Sequence, residues 1–520
     1  MKKYYLAIDH GTESVRAAVI DESGRFAGVG TSANTNIYPR PGWVEQSATV
    51  WEESLVKAIR LALRNSKIEG SMIRAVGVDA TSPTMVAMNK NNQVVRNPIM
   101  WMDIRAAKEA QVISSINDEA LKVTGFGKVS PEWFPCKVLW FKHNEPELYA
   151  QTETFLDHTD WIVYTLTGEL TLNNCSATAR NFYNSNGSGF PIELFRQAGM
   201  QDVLEKYPGR ITSFGEVVGY ITKKMAAKTG LSAETPVAGG GADGYVGVIG
   251  VNALRPGRMA LITGSSQLLI GVSDREMHFP GMNGSFKDIL VPGYQVIEAG
   301  QTSSGSIVKW FIDNFISARI EAEAKKRNAS VYDIMNERAE GIPPGSDGLV
   351  VLEHWQGNRT PWVDPSSRGV IRGLTLLHKP EHIYRALMEG VVYGAEVILR
   401  TFCDHGIDVD EIVISGGATN SDVWLQIFAD VTRRPIIMPE ETQSVLLGSA
   451  IAASLADSEY TSIQEAADHM VRVNTTIEPD VKNAEMYKDY VEQYIATYEK
   501  LKGESASLVS KLGDMNSFDE

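Results

Sequence analysis

A carboxylate, two loops of small residues and an aromatic-acid-guanidinium triplet are the parts of this sequence whose types and spacing could do chemistry. Asp243 lies in Gly-Gly-Gly-Ala-Asp-Gly, residues 239–244, where a short strand-forming run gives way to an apolar helical one. A carboxylate there can face a cleft and accept a proton from a substrate hydroxyl. Capping the helix explains the same aspartate equally well. Gly11, Thr12 and Ser14 follow Asp9 between two apolar runs, and Gly264, Ser265 and Ser266 sit between two more. Loops of Gly, Ser and Thr bring backbone N–H groups and hydroxyls close together, which suits phosphate oxygens. Either loop alone is most simply a turn. Two at matching places in a repeated unit favour a phosphate chain lying between them. Trp101, Asp103 and Arg105 fall within five residues. An aromatic face packs on sugar C–H groups while Asp and Arg bind hydroxyls in opposite senses, although a helix start would also use these residues.

Other patterns fail their own tests. The P-loop signature is absent, and Gly239 to Gly244 satisfies GxGxxG without the acid about 20 residues on that a dinucleotide ribose needs. After Asp243 the next acid is Asp274. His378 and His382 have i, i+4 spacing, but Pro380 between them places His378 ahead of the helix, which argues against a metal pair.

The elements that must position these residues alternate. Tyr4 to Ile8 and Val15 to Ile20 read as strands separated by the six residues Asp9 to Ser14. Gly257 to Asp274 repeats that plan half a chain later, so two domains on one plan are expected, with a boundary at Arg255-Pro-Gly-Arg258. This gives 1–254 and 255–455, followed by helices and a tail over 456–520. Ala75 to Val95 reads as strand, loop, strand and, after Asn91-Asn92, a further strand. Trp51 to Leu63, with Leu55, Ile59 and Leu63 at helical spacing, reads as a helix. Tyr487, Tyr490, Val491, Tyr494 and Tyr498 form a stripe suited to helix packing. The last residues, from Gly503, lack a period and are expected to be irregular.

A chain of 520 residues exceeds what one hydrophobic core usually serves. Its formal charge of -15 disfavours nucleic acid and anionic membranes as partners. Three widely separated cysteines suggest neither a disulfide framework nor a zinc site, and no apolar window approaches ~18 residues. A reducing, cytoplasmic setting is expected.

With these residues in place the chain resembles the FGGY carbohydrate kinases along nearly its whole length. The resemblance rests on AIDHGTESVRAAVID, WMDIR, DHTDWIVYTLTGEL, GGGADG and TGSS. Its most specific segments are RGVIRGLTLLHKPEHIYRALMEG and SGGATNSDVWLQIFADVTRRPI. Lys137 and Trp140 match the family's first signature, whereas Phe134 stands where a small residue or proline is usual. The resemblance implies an α/β fold of two actin-like, ribonuclease H-like ATPase domains with the active site in the cleft between them. It implies ATP and Mg2+, with Asp243 as catalytic base and Asp9 and Asp243 on the metal side. It further implies phosphate loops at Gly11, Thr12 and Ser14 and at Gly264, Ser265 and Ser266, and a nucleotide site at Gly305, Gly416, Gly417, Ala418 and Ser421. Thr81, Ser82, Trp101, Asp103, Arg105 and Asp243 would contact the sugar. Within the family DATSPTM and WMDIRA look most like the ribulose and xylulose kinases, with erythritol or glycerol kinases as the alternative. An actin-like ATPase without a sugar acceptor is the reading from another class. Sugar and ATP are then the partners, and a homodimer is allowed.

Overall fold

The computed structural model describes residues 2–125 and 128–503. The irregular end expected beyond Gly503 lies outside the described residues. Two seven-stranded sheets repeat one plan. In the first, Tyr4–His10 pairs antiparallel with Ser14–Asp21, which pairs antiparallel with Phe26–Ala33. On its other side Tyr4–His10 runs parallel to Ile73–Ala80, which runs parallel to Pro236–Ala238. In the second, Gly257–Thr263 pairs antiparallel with Gln267–Ser273, which pairs with Gln295–Gln301. Val409–Gly416 then runs parallel to Gly257–Thr263, and Ile436–Pro439 parallel to Val409–Gly416. Parallel central strands buried on both faces need near-continuous apolar sequence, and Tyr5 to Ile8 and Ile412 to Ile414 supply it.

The first hairpin is tighter than its sequence suggests. Asp9 pairs with Arg16 and His10 with Val15, so only Gly11, Thr12 and Glu13 form the turn instead of the expected six residues. Asp9 and His10, 2% and 0% exposed, continue the strand because Asp79 and Ala80 of Ile73–Ala80 flank them on the other side. The second hairpin likewise turns on Gly264, Ser265 and Ser266. The strand expected after Asn91-Asn92 is reduced to a single bridge between Met88 and Val94.

The helices Asp243–Gly250 and Ser444–Ala456 cross where the two sheets meet, in a shared apolar cluster with Ala7, Ala18, Ile270 and Val413. A Cβ on Gly250 would lie 1.7 Å from the Ser444 carbonyl oxygen, and one on Gly77 would lie 1.8 Å from that of Ser449. Only glycine permits these approaches. Ser444–Ala456, which follows the second sheet in sequence, therefore packs on the first. Pro380 opens the helix Pro380–Asp404 and leaves His378 outside it, as its position suggests. In Val481–Leu501, Tyr487, Val491, Tyr494 and Tyr498 are buried against the second core, so the tyrosine stripe is a packing face.

Candidate active site

The strand ends gather carboxylates at one place. Asp9 and Asp79 are cross-strand partners on adjacent parallel strands, so their side chains share a face. Gly241–Ala242 pairs with Asp79 and Ala80, and Asp243 follows as the first residue of its helix. Ala242, not Asp243, occupies the capping position, and Asp243 Oδ1 accepts from its neighbour Gly244 N at 2.7 Å. Burial, with the nearby Asp9 charge, pushes the Asp243 carboxyl up to about 7. Asp79 is held well above the usual carboxylate range by burial and then by Asp9. Ser449 donates to its Oδ2 at 2.6 Å, and a side-chain hydrogen bond links Asp79 to Asp9. Asp9 is raised by burial and held back by Arg16, its ion-pair partner.

The small-residue loops flank this cluster. Asn34 Nδ2 donates to Gly11 O at 3.0 Å, Gln46 Nε2 donates to Thr12 O at 2.7 Å, and Ser14 begins the returning strand. Across the cleft Gly305 N donates to Gly264 O at 3.0 Å, while Ser304 N and Ser306 N donate to Ser265 O at 2.8 and 3.2 Å. This seats the N-terminus of the helix Gly305–Phe315 beside the second loop. Ala418 N donates to Thr263 Oγ1 at 3.0 Å, which brings the Gly-Gly turn to the same place. Gly416 takes φ +93°, and a Cβ there would lie 1.9 Å from Thr263 O. Gly417 faces open space. Ser421 caps the helix Asp422–Thr432 and donates to Asn336 Oδ1 at 3.0 Å.

A cavity of about 490 Å³ lies between the two halves and brings together Thr81, Ser82, Trp101, Asp243 and Ser266. The Ser82 hydroxyl donates to Asp157, whose other oxygen accepts from Thr84 N at 2.8 Å. Its remaining lone pairs can therefore accept from a ligand hydroxyl.

Asp103 and Arg105 depart from the sugar-contacting expectation. Both side chains are fully buried and bonded to each other at 2.8 Å, and neither lines the cavity. Asp103 also accepts from Val44 N at 2.6 Å, while Arg105 bonds Glu45 at 2.9 Å. The Arg105 guanidinium lies 4.1 Å from the Trp43 ring centroid and 4.9 Å from that of Trp140. The aromatic sandwich and the matched charges draw the pair inward. Segment 101–106 is a turn that precedes the helix Ala107–Ser114.

The N-terminal domain of the FGGY family of carbohydrate kinases matches residues 4–250 and its C-terminal domain matches 259–456. The chain belongs to this family. A protein of Anoxybacillus flavithermus named ribulokinase is 32% identical over 528 residues, 95% of this chain and 93% of its own length. A ribulokinase of Geobacillus thermodenitrificans is also 32% identical, over the same shares of both chains. The crystal structure of a xylulose kinase from Rhodospirillum rubrum shares the fold at a TM-score of 0.85, with 24% identity, covering 97% of this chain and 100% of its own. This FGGY chain is thus a carbohydrate kinase, a phosphotransferase that takes ATP and an alcohol-type acceptor.

Several residues of this FGGY kinase's site escape sequence reasoning. Arg16 could have been found from the hairpin register opposite Asp9, and Asp79 from its place at a strand end in VDATS. Lys137, matched to the family signature without a role, is fully buried and donates to the carbonyls of Pro83, Met100 and Trp101 at 2.7, 2.7 and 3.0 Å. Burial lowers its pKa to about 8. It ties together the two segments that line the cavity. Arg180 and Glu298, from opposite halves, also line it and pair at 2.9 Å. Tyr245 donates to the same glutamate at 2.7 Å. No local spacing signals a pair so distant in sequence.

Proposed function

We propose that this enzyme transfers the γ-phosphate of ATP to a hydroxyl of a pentulose, with ribulose favoured over xylulose. The observation that carries this reading is the cavity that sets Asp243 among Thr81, Ser82, Trp101 and Ser266. A hydroxyl held by the first three residues would meet a base on one side and a phosphate loop on the other. Asp243 takes its proton, and a pKa of about 7 suits a base working near neutrality. Gly11, Thr12 and Ser14 on one side and Gly264, Ser265 and Ser266 on the other hold phosphate oxygens through N–H and hydroxyl donors. Gly305 and Gly416 to Ser421 line the nucleotide path. Residues 1–254 carry the sugar side and 255–455 the nucleotide side. Closure of the two over the cleft would exclude water that competes with the sugar for ATP.

The donor set fits Mg2+, which takes one or two carboxylates with phosphate oxygens and water. Asp9 and Asp243 offer hard oxygens, and the upward pull of Asp9 on Asp243 is the strain a cation would relieve. When bound, the ion would neutralise charge on the transferring phosphoryl group. Among the described residues no group of three or more acids, histidines or cysteines is arranged to hold a metal without the nucleotide.

The relatives named ribulokinase support the choice of sugar. Dependence on ATP and three unbridged cysteines support a cytoplasmic setting. Among the described residues no helix is long and apolar enough to cross a membrane. The test is a panel of both enantiomers of ribulose and xylulose, with erythritol, glycerol and a no-sugar control, reported as kcat/KM. Ribulose should lead. A lead for erythritol or glycerol would establish the polyol reading, and equal ATP turnover without sugar would remove the kinase reading.

A further inference from the structure

Beneath the Thr81 loop lie two buried imidazoles that the transfer reaction does not use. His10 and His158, each 0% exposed, meet edge to face with ring centroids 4.4 Å apart. His158 also stacks on Trp51 at 3.8 Å. Burial lowers the pKa of His158 well below its usual value, so its ring stays neutral. His158 Nδ1 lies 3.0 Å from Thr81 Oγ1, and its Nε2 has no partner among the described residues. A neutral imidazole carries one ring proton. On Nε2 that proton would be a buried donor without an acceptor, a costly arrangement. On Nδ1 it donates to Thr81 Oγ1 and leaves the Thr81 hydroxyl proton to choose between the cavity and Thr84 Oγ1, which at 3.5 Å is too far for a strong bond.

We infer that His158 is a positioning residue for the sugar site: its Nδ1–H, 3.0 Å from Thr81 Oγ1, fixes the Thr81 hydroxyl as a donor into the cavity. The fixed donor matches an oxygen that can only accept, the carbonyl of a ketose, better than an alditol hydroxyl that brings its own proton. Ser82, whose proton goes to Asp157, supplies the complementary acceptor for a neighbouring sugar hydroxyl. The inference rests on the pentulose reading above and extends it to the feature by which the site would tell a ketose from its reduced alcohol.

The test compares ribulose with ribitol in the full-length enzyme, its His158→Phe and His158→Asn variants and Thr81→Val. Phe keeps the stack on Trp51 and removes the donor, whereas Asn places an amide near the position of Nδ1. His158→Phe should lower the ribulose-to-ribitol ratio of kcat/KM about tenfold through the sugar KM, because a site built around a hydrogen bond loses discrimination with it. The KM for ATP should stay within about twofold, since the change touches no nucleotide residue. His158→Asn should restore most of the ratio, and Thr81→Val should reproduce the Phe result. An unchanged ratio in both His158→Phe and Thr81→Val, or an Asn variant no better than Phe, overturns this inference alone. If His158→Phe does not fold, the Thr81→Val and His158→Asn ratios decide. A wild-type enzyme that phosphorylates ribitol but no ketose overturns the pentulose reading and the inference together.

Discussion

The indole N–H of Trp101 donates to Thr12 Oγ1 over 3.0 Å, which joins the wall of the cavity beside Asp243 to the turn at Gly11 to Glu13. Gln46 extends the link, since it bonds Thr12 O, Asn36 and the Trp51 indole. Trp101→Phe keeps an aromatic face and removes the donor. A neutral hydrogen bond contributes about 1 kcal/mol, so the KM values for sugar and ATP should both rise by about fivefold. Steady-state kinetics with each substrate varied in turn would check this. A rise confined to the sugar would show that the indole acts only by packing.

Asp243→Asn should leave the fold in place and lower kcat by ~10²-fold or more, as loss of a general base does. Only the ionised carboxylate can take a proton. The wild-type rate should therefore climb as pH rises through about 7 and then level, while the residual rate of the variant lacks that step.

The same raised pKa predicts how stability changes with pH. Between the unfolded carboxylate value of about 4 and the folded value near 7, the native state binds more protons than the unfolded chain. The contribution of Asp243 is thus fully present below about 4 and is lost as pH rises through 7. Melting curves should show Asp243→Asn more stable than the wild type at pH 8 and level with it near pH 4.

Lys137→Met should be strongly destabilising despite its similar length. It leaves the carbonyls of Pro83, Met100 and Trp101 without their buried donor, each orphaned group costing about 1–3 kcal/mol. A lowered denaturation midpoint, with a raised sugar KM in whatever protein remains folded, is the expected result.

Arg105→Met tests the reassignment of that residue from sugar contact to support. Removing one member of a buried ion pair costs about 3–5 kcal/mol, because Asp103 and Glu45 lose their shared cation. The melting temperature should fall. At a temperature where the variant is folded, its sugar KM should stay near that of the wild type.

Residues placed by turn chemistry were the most legible in the sequence. The Gly-Thr-Glu and Gly-Ser-Ser turns, the glycines before Asp243 and the Gly-Gly turn at 416–417 need small residues between apolar runs, and that need is visible locally. The repeated hairpin disclosed a repeated sheet plan for the same reason. The tyrosine stripe disclosed a buried face because helical spacing alone sets which side chains share it.

The sequence by itself determined the two small-residue loops, the acid between them and the family. It did not determine which way a side chain faces. WMDIR suggested three sugar contacts, but Trp43 and Trp140 from other segments enclose Arg105, and only Trp101 reaches the cavity. The extension of the first strand through Asp9 and His10 depended on pairing with Ile73–Ala80. The Asp9–Asp79 pair, the Lys137 clamp, the Arg180–Glu298 bridge and the His158–Thr81 contact were decided by tertiary structure alone, because each joins residues that meet only when separate strands and helices pack. Burial at those meetings is also what raises the carboxyl of Asp243 to about 7, which fits it to the role of base.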